Sequence, residues 1–192
     1  KINQIYQESD LPGFAVSVVN GDSVLFSESF GFSAKEDLIP YETDHIQIVA
    51  SVTKTWVGVA LMKCAEQGLL TLDTDINSLL PFKVINPNHP NDPITIRQLA
   101  THTSSIIYPI PAHHKVIFEK QLDLKSFRWN EKKAIKKVLN YPSITMEGYL
   151  QAYLSPEGIN YSAKHFGDYV PGDRYQYSNA ATALAAYIVE II

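Results

Sequence analysis

Cysteine is almost missing: Cys64 stands alone among 192 residues, which excludes an internal disulfide and says little about redox compartment. No apolar run approaches the roughly 20 residues that a bilayer-spanning helix needs. Positive charge is short, with 16 Lys+Arg against 20 Asp+Glu and a formal balance of −4, so no nucleic-acid partner is expected. Repeats and low-complexity stretches are lacking, as are a Gly-x-Ser-x-Gly elbow and a Walker loop. Six histidines are present (His45, His89, His102, His113, His114, His165), but none has His-x-x-x-His spacing or a cysteine cluster beside it, so no metal is expected. For His102 a structural role is favoured. The chain starts at Lys1 with no Met and no signal-like stretch, as a trimmed or processed product would.

What is present is the composition of a folded globular chain, 45% hydrophobic and 19% charged, long enough for one large domain or two small ones. Residues 2–9 fit a short helix. Phe14, Ala15, Val16, Ser17, Val18 and Val19 read as a strand, and a second runs from Ser23 to about Phe32. Asn20-Gly21 between them predicts a hairpin, because both residues tolerate positive φ. Two strands need partners to be stable, and no equally clear strand follows.

Val52 to Gln67 reads as a helix closed by Gly68. It is apolar on nearly all sides (Trp56, Val57, Val59, Leu61, Met62, Cys64), which predicts a buried central helix. A second helix spans 93–101, with Thr95 and Gln98 as a capping box. Asn130 and Glu131 open a third, with Ile135, Val138 and Leu139 on one face. Lys132, Lys133, Lys136 and Lys137 lie on the other, a solvated face rather than an anion site, and Tyr141-Pro142 ends it. A short helix is expected at 145–154. The last begins near Ser178 and is still apolar at Ile192, where the chain stops without a cap. That predicts a fragment of a longer protein.

Two short stretches could carry chemistry. Ser51-Val52-Thr53-Lys54 lies at the mouth of the apolar helix, where free N–H groups favour negative charge and Lys54, at i+3, shares a face with Ser51. A serine hydroxyl becomes a nucleophile when a neighbouring base takes its proton, and a lysine amine serves if burial lowers its pKa. Taken alone, Ser51 is as readily a helix cap and Lys54 a snorkelling side chain. Tyr177-Ser178-Asn179 opens the last helix. Nearby lysines would stabilise a Tyr177 phenolate and make it a proton shuttle, and the Asn179 amide suits a substrate amide. Taken alone, that tripeptide is a buried tyrosine beside a helix cap.

Together and in this order, these stretches resemble the serine β-lactamase and penicillin-binding-protein superfamily, in the branch of class C β-lactamases and related D-Ala-D-Ala carboxypeptidases and esterases. Gly13–Val19 with Asn20-Gly21 is similar to the family's opening hairpin. Ser51-Val52-Thr53-Lys54 matches its Ser-x-x-Lys motif, residues 94–105 resemble a segment typical of the branch, and Pro171-Gly172 through Tyr177-Ser178-Asn179 match its Tyr-x-Asn motif.

The resemblance implies an α+β fold, an antiparallel sheet packed against a helical region, and a single incomplete domain over 1–192. Residues 1–50 would supply part of the sheet, 51–192 the mainly helical region, with an insertion at about 108–168. It implies catalytic Ser51, Lys54 and Tyr177: Ser51 the acylated nucleophile, Lys54 its activating partner and Tyr177 the general base and acid. Asn179 would bind substrate and orient Lys54. It implies no cofactor, no metal, a periplasmic or cell-surface location, and as partner a peptidoglycan-like peptide, a β-lactam or an ester. A non-turnover penicillin-binding or sensor protein, or an esterase of the same fold, is the competing reading. Three departures stand out. Ser105 occupies a position where the family often has Gly, the two motifs are widely separated, and the third motif (Lys-Thr-Gly or His-x-Gly) has no match after Tyr177. The sheet strands that would carry that motif are therefore expected to be absent from this chain.

Overall fold

Alternating β-formers from Gly13 onward build an antiparallel hairpin, β1 (Gly13–Val19) and β2 (Val24–Ala34). The computed structural model describes residues 1–107, 125, 129, 132–133 and 145–192, in two units, Lys1–Ala50 and Ser51–Ile192.

In the first unit Gly13 pairs with Gly31 and Val18 with Phe26, and a bulge at Val18/Val19 shifts the register to Val19–Val24. A two-residue strand, β3 (Ile39–Pro40), joins β2 antiparallel and gives the order β1-β2-β3. The hairpin forms as expected, although neither Asn20 nor Gly21 has a positive φ. Asn20 Oδ1 instead accepts from the backbone N–H of Asp22 (3.2 Å) and Ser23 (2.8 Å) and from the Ser23 hydroxyl (2.9 Å). That side-chain cap stabilises a longer loop, so left-handed turn residues are not needed. The short N-terminal helix, α1 (Ile2–Gln7), meets the sheet through Tyr6, whose ring lies 5.9 Å from Phe14 and 6.3 Å from buried Phe30. Gly31 permits this approach: at φ +74 an added Cβ would collide with the Pro12 carbonyl and the Tyr6 hydroxyl.

The second unit opens with α2 (Thr53–Glu66), closed by Gly68 at φ +74, as its sequence predicts. Gly68 N–H donates to Ala65 O (3.0 Å) and Leu69 N–H to Cys64 O (3.0 Å), a Schellman closure. The expected burial of this helix does not hold. Leu61 and Cys64 are buried, whereas Val52, Trp56, Val59 and Met62 are each at least half exposed. Within the unit only one flank of α2 meets the core, so its remaining apolar residues are left uncovered.

That core gathers Leu70, Ile76, Leu80, Phe82, Val84 and Ile94 from the segment after α2. The next helix is α3 (Ile96–Ala100), with the predicted capping box: Gln98 N–H donates to Thr95 Oγ1 (3.4 Å) and Thr95 N–H to Gln98 Oε1 (2.9 Å). The helix expected at 145–154 is α4 (Met146–Leu154), and the last is α5 (Asn179–Ile191). Helix α5 touches α2, α3 and α4. Its Ala180, Ala181, Leu184, Ala185, Tyr187 and Ile188 are all buried, small residues alternating with large ones so that three neighbours can approach. Most of the helix predicted from Asn130 to Tyr141-Pro142, and most of the insertion at 108–168, lie outside the described residues.

Candidate active site

Ser51 lies in a single 3-10 turn, Ala50–Val52, that leads into α2. Ala50, immediately before it, has φ +45, a left-handed conformation that is unfavourable for a residue with a Cβ. Ser51 is not the helix cap. That position falls to Val52, with no side-chain capping bond. The Ser51 hydroxyl meets two other groups instead: Tyr177 Oη at 2.7 Å and Lys54 Nζ, which donates to it at 3.2 Å. The Lys54 ammonium also lies 5.1 Å from the Tyr177 ring centroid. Lys54 is half-buried and Ser51 exposed.

The electrostatics shift Tyr177 toward the phenolate. The hydrogen bond from Lys54, and then that with Ser51, hold the Tyr177 phenol below its ordinary pKa, against a smaller opposing effect of burial. The proton between Ser51 and Tyr177 can sit on either oxygen, which is the arrangement a base and a nucleophile need.

Tyr177 is held by a ladder between residues 98–105 and the loop leading into α5. Gly167 N–H donates to Ser105 O (2.8 Å), Gly172 N–H to Thr103 O (2.8 Å), and Gln98 Nε2 to Pro171 O (2.9 Å). Gln176 N–H donates to His102 O (2.7 Å), and Ser178 N–H to His102 Nδ1 (3.3 Å). The His102 and Tyr177 ring centroids are 4.7 Å apart. Ser105, which stands where a glycine is common, adopts φ +61 itself, and buried Asn86 donates to its hydroxyl at 2.9 Å. The glycine-like backbone is thus kept.

Asn179 is the first residue of α5, behind the Ser178 cap, whose Oγ accepts from Ala181 N–H (3.1 Å). Among the described residues no hydrogen bond reaches the Asn179 side chain, and the orienting contact expected between it and Lys54 is not made. Lys54 is held by Ser51 and Tyr177 instead. His102 was assigned only a structural part from the sequence. A histidine one residue past a helix end, where glycine is usual, was the available signal. Its imidazole is pushed below the ordinary value, mainly by burial and secondly by the Lys54 charge. A cavity of about 40 Å³, room for a single water, lies beneath the site and is lined in part by Lys54, Gly58, Leu99, His102 and Thr182.

The Beta-lactamase family model matches residues 1–192. Protein flp of Staphylococcus aureus (strain MRSA252) is 29% identical over 110 residues, 57% of this chain and 22% of that protein. D-alanyl-D-alanine-carboxypeptidase/endopeptidase AmpH of Escherichia coli (strain K12) is 29% identical over 118 residues, 60% of this chain and 30% of that one. Among solved structures, the octameric penicillin-binding protein homologue from Pyrococcus abyssi superposes with a TM-score of 0.64 at 22% identity, covering 99% of this chain and 37% of that one. A class C beta-lactamase in complex with cefoxitin gives 0.57 at 18% identity, covering 98% and 41%. These structures share the serine β-lactamase-like fold, and the chain spans well under half the length of the proteins it matches.

Proposed function

The chain belongs to the Beta-lactamase family, and from that membership we propose that it carries the nucleophile and proton-transfer groups of a serine hydrolase that cleaves an amide or ester through an acyl-Ser51 intermediate. The observation that carries this reading is the three-way contact of Ser51 Oγ with Tyr177 Oη at 2.7 Å and Lys54 Nζ at 3.2 Å. Ser51 Oγ attacks the carbonyl carbon as its proton passes to the Tyr177 phenolate, which Lys54 stabilises. The tetrahedral oxyanion is met by backbone N–H groups at the mouth of α2. Collapse breaks the bond to the leaving amine or alkoxide, which takes the proton from Tyr177. Water then attacks the acyl-Ser51 ester, gives its proton to Tyr177, and releases the acid as Ser51 recovers its proton. Asn179, at the start of α5, is assigned to the substrate amide.

The acyl donors that fit are a D-Ala-D-Ala peptide terminus, a β-lactam or a small ester. The similarity to AmpH, a D-alanyl-D-alanine-carboxypeptidase/endopeptidase, supports the first. A periplasmic or cell-surface location, where such peptides occur, is part of the same proposal. Among the described residues no helix is long and apolar enough to cross a membrane. The test is product release per protein molecule with a D-Ala-D-Ala peptide, a chromogenic β-lactam and a p-nitrophenyl ester. Many turnovers of at least one are expected. A single equivalent released, with a stable adduct, would make the protein a sensor instead, and no release and no adduct with any of them would refute acyl transfer.

A further inference from the structure

Helices α2 and α3 end in the same way but with different residues. Each closes with a Schellman pair: Gly68 and Leu69 donate back to Ala65 and Cys64, and His102 and Thr103 donate back to Leu99 (3.4 Å) and Gln98 (2.9 Å). The left-handed position is filled by Gly68 at φ +74 in the first and by His102 at φ +58 in the second. Glycine takes that backbone without strain and histidine does not. The cost at residue 102 therefore calls for something the side chain supplies, and a strained residue beside reacting groups points to function.

The contacts of His102 show what that is. Its carbonyl receives the N–H of Gln176 at 2.7 Å and its Nδ1 receives the N–H of Ser178 at 3.3 Å, so one residue grips the amides on both sides of Tyr177. The His102 ring lies 4.7 Å from the Tyr177 ring and 6.0 Å from the Tyr175 ring. Tyr177 is otherwise substantially exposed, with a side chain that could leave Ser51. We propose that His102 is a positioning residue that holds the Tyr177 phenol on Ser51 and Lys54 by accepting the Ser178 N–H through an unprotonated Nδ1, so that the site loosens when His102 takes up a proton. The acyl-transfer part of this rests on the proposed function above; the grip itself does not.

The charge environment sets the direction. The titratable groups facing the imidazole are Lys54 from α2 and Tyr175 and Tyr177 from the loop before α5. Thr182 of α5, which lines the cavity beside it, carries no charge. On its own helix Arg97 is turned to Asp73 at 2.9 Å. Burial and Lys54 both oppose protonation, so Nδ1 is an acceptor at neutral pH and is lost as one only in acid.

His102→Gly and His102→Asn separate the possibilities. Glycine relieves the backbone and removes the acceptor. Asparagine tolerates the left-handed backbone and offers Oδ1 on the same bond path as Nδ1, without a titrating ring. In the protein, the Ser51 labelling rate with a fluorescent penicillin is expected to fall roughly 10- to 100-fold in His102→Gly, as displacement of a reacting group by about 1 Å does, with little change in thermal midpoint. His102→Asn is expected to label within a few-fold of the wild type and to lose the contribution of His102 to the acid limb of the pH profile. Equal rates and profiles in wild type and His102→Gly would overturn the proposal, as would a His102→Asn as slow as His102→Gly. If the wild type is not labelled at all, that failure belongs to the β-lactam arm of the proposed function and not to the grip. The Tyr177 phenol titration, read as the ultraviolet difference from Tyr177→Phe, then decides. A rise toward ordinary tyrosine in His102→Gly but not in His102→Asn supports the grip, and no rise in His102→Gly refutes it.

Discussion

Tyr177 Oη lies 2.7 Å from Ser51 Oγ although 126 residues separate them, and Lys54 is the cation common to both. Helix α5, with Tyr177 two residues before it, packs on α2, with Ser51 at its mouth, so the Ser51–Tyr177 contact is a by-product of the core that joins these two helices. Core packing and the geometry of the candidate site are thus linked through one helix pair.

Removing the phenol hydroxyl alone isolates its part in proton transfer. Tyr177→Phe keeps the ring against His102 and deletes the partner of Ser51. Acylation should slow by about 10²- to 10⁴-fold, the usual worth of a positioned acid–base group, with the fold unchanged by circular dichroism. A rate within a few-fold of wild type would transfer the base role to Lys54.

The pH dependence has a definite sign. The hydrogen bond from Lys54 is the largest influence holding the Tyr177 phenol below its ordinary value. Lys54→Met removes it, so the phenol should titrate at higher pH and the fraction of phenolate near neutrality should fall. The rising limb of the labelling profile should move to alkaline pH together with the ultraviolet titration. A limb that stays in place would show that phenolate is not the base.

Leu184 is fully buried where α5 meets its neighbours. Leu184→Ala should cost about 3 kcal/mol in denaturant unfolding, the sum of lost transfer energy and a residual cavity. A cost below about 1 kcal/mol would mean that the α5 contact is loose.

Gly31→Ala should destabilise the first unit by about 1–3 kcal/mol. The added methyl meets the Pro12 carbonyl and the Tyr6 hydroxyl, and φ +74 is itself unfavourable for alanine. Thermal melts of the variant check this, and an unchanged midpoint would contradict the close approach of α1 to β2.

What could be read from the chain alone was local. The capping box of Thr95 and Gln98, the Gly68 closure, the Ser178 cap and the i+3 placement of Lys54 on Ser51 each involve residues within one or two turns. The hairpin at Asn20-Gly21 was legible too, but not its turn geometry, because an Asx cap competes with the left-handed pair and the dipeptide does not say which wins. The burial of α2 was misjudged because hydrophobicity states what a helix would bury, not which neighbour is there to cover it. The ladder from residues 98–105 to 167–178 was invisible, being built largely from backbone amides of segments far apart in sequence. Hence His102 was assigned a structural part only, and Asn179 was credited with a contact to Lys54 that the fold does not make.

The most direct measurement is intact mass of the protein after exposure to a fluorescent penicillin, beside a Ser51→Ala control. The account predicts one adduct per chain that is absent from the control, and whose decay separates a hydrolase from a sensor. An adduct that persists in Ser51→Ala would contradict the assignment of Ser51 as the nucleophile.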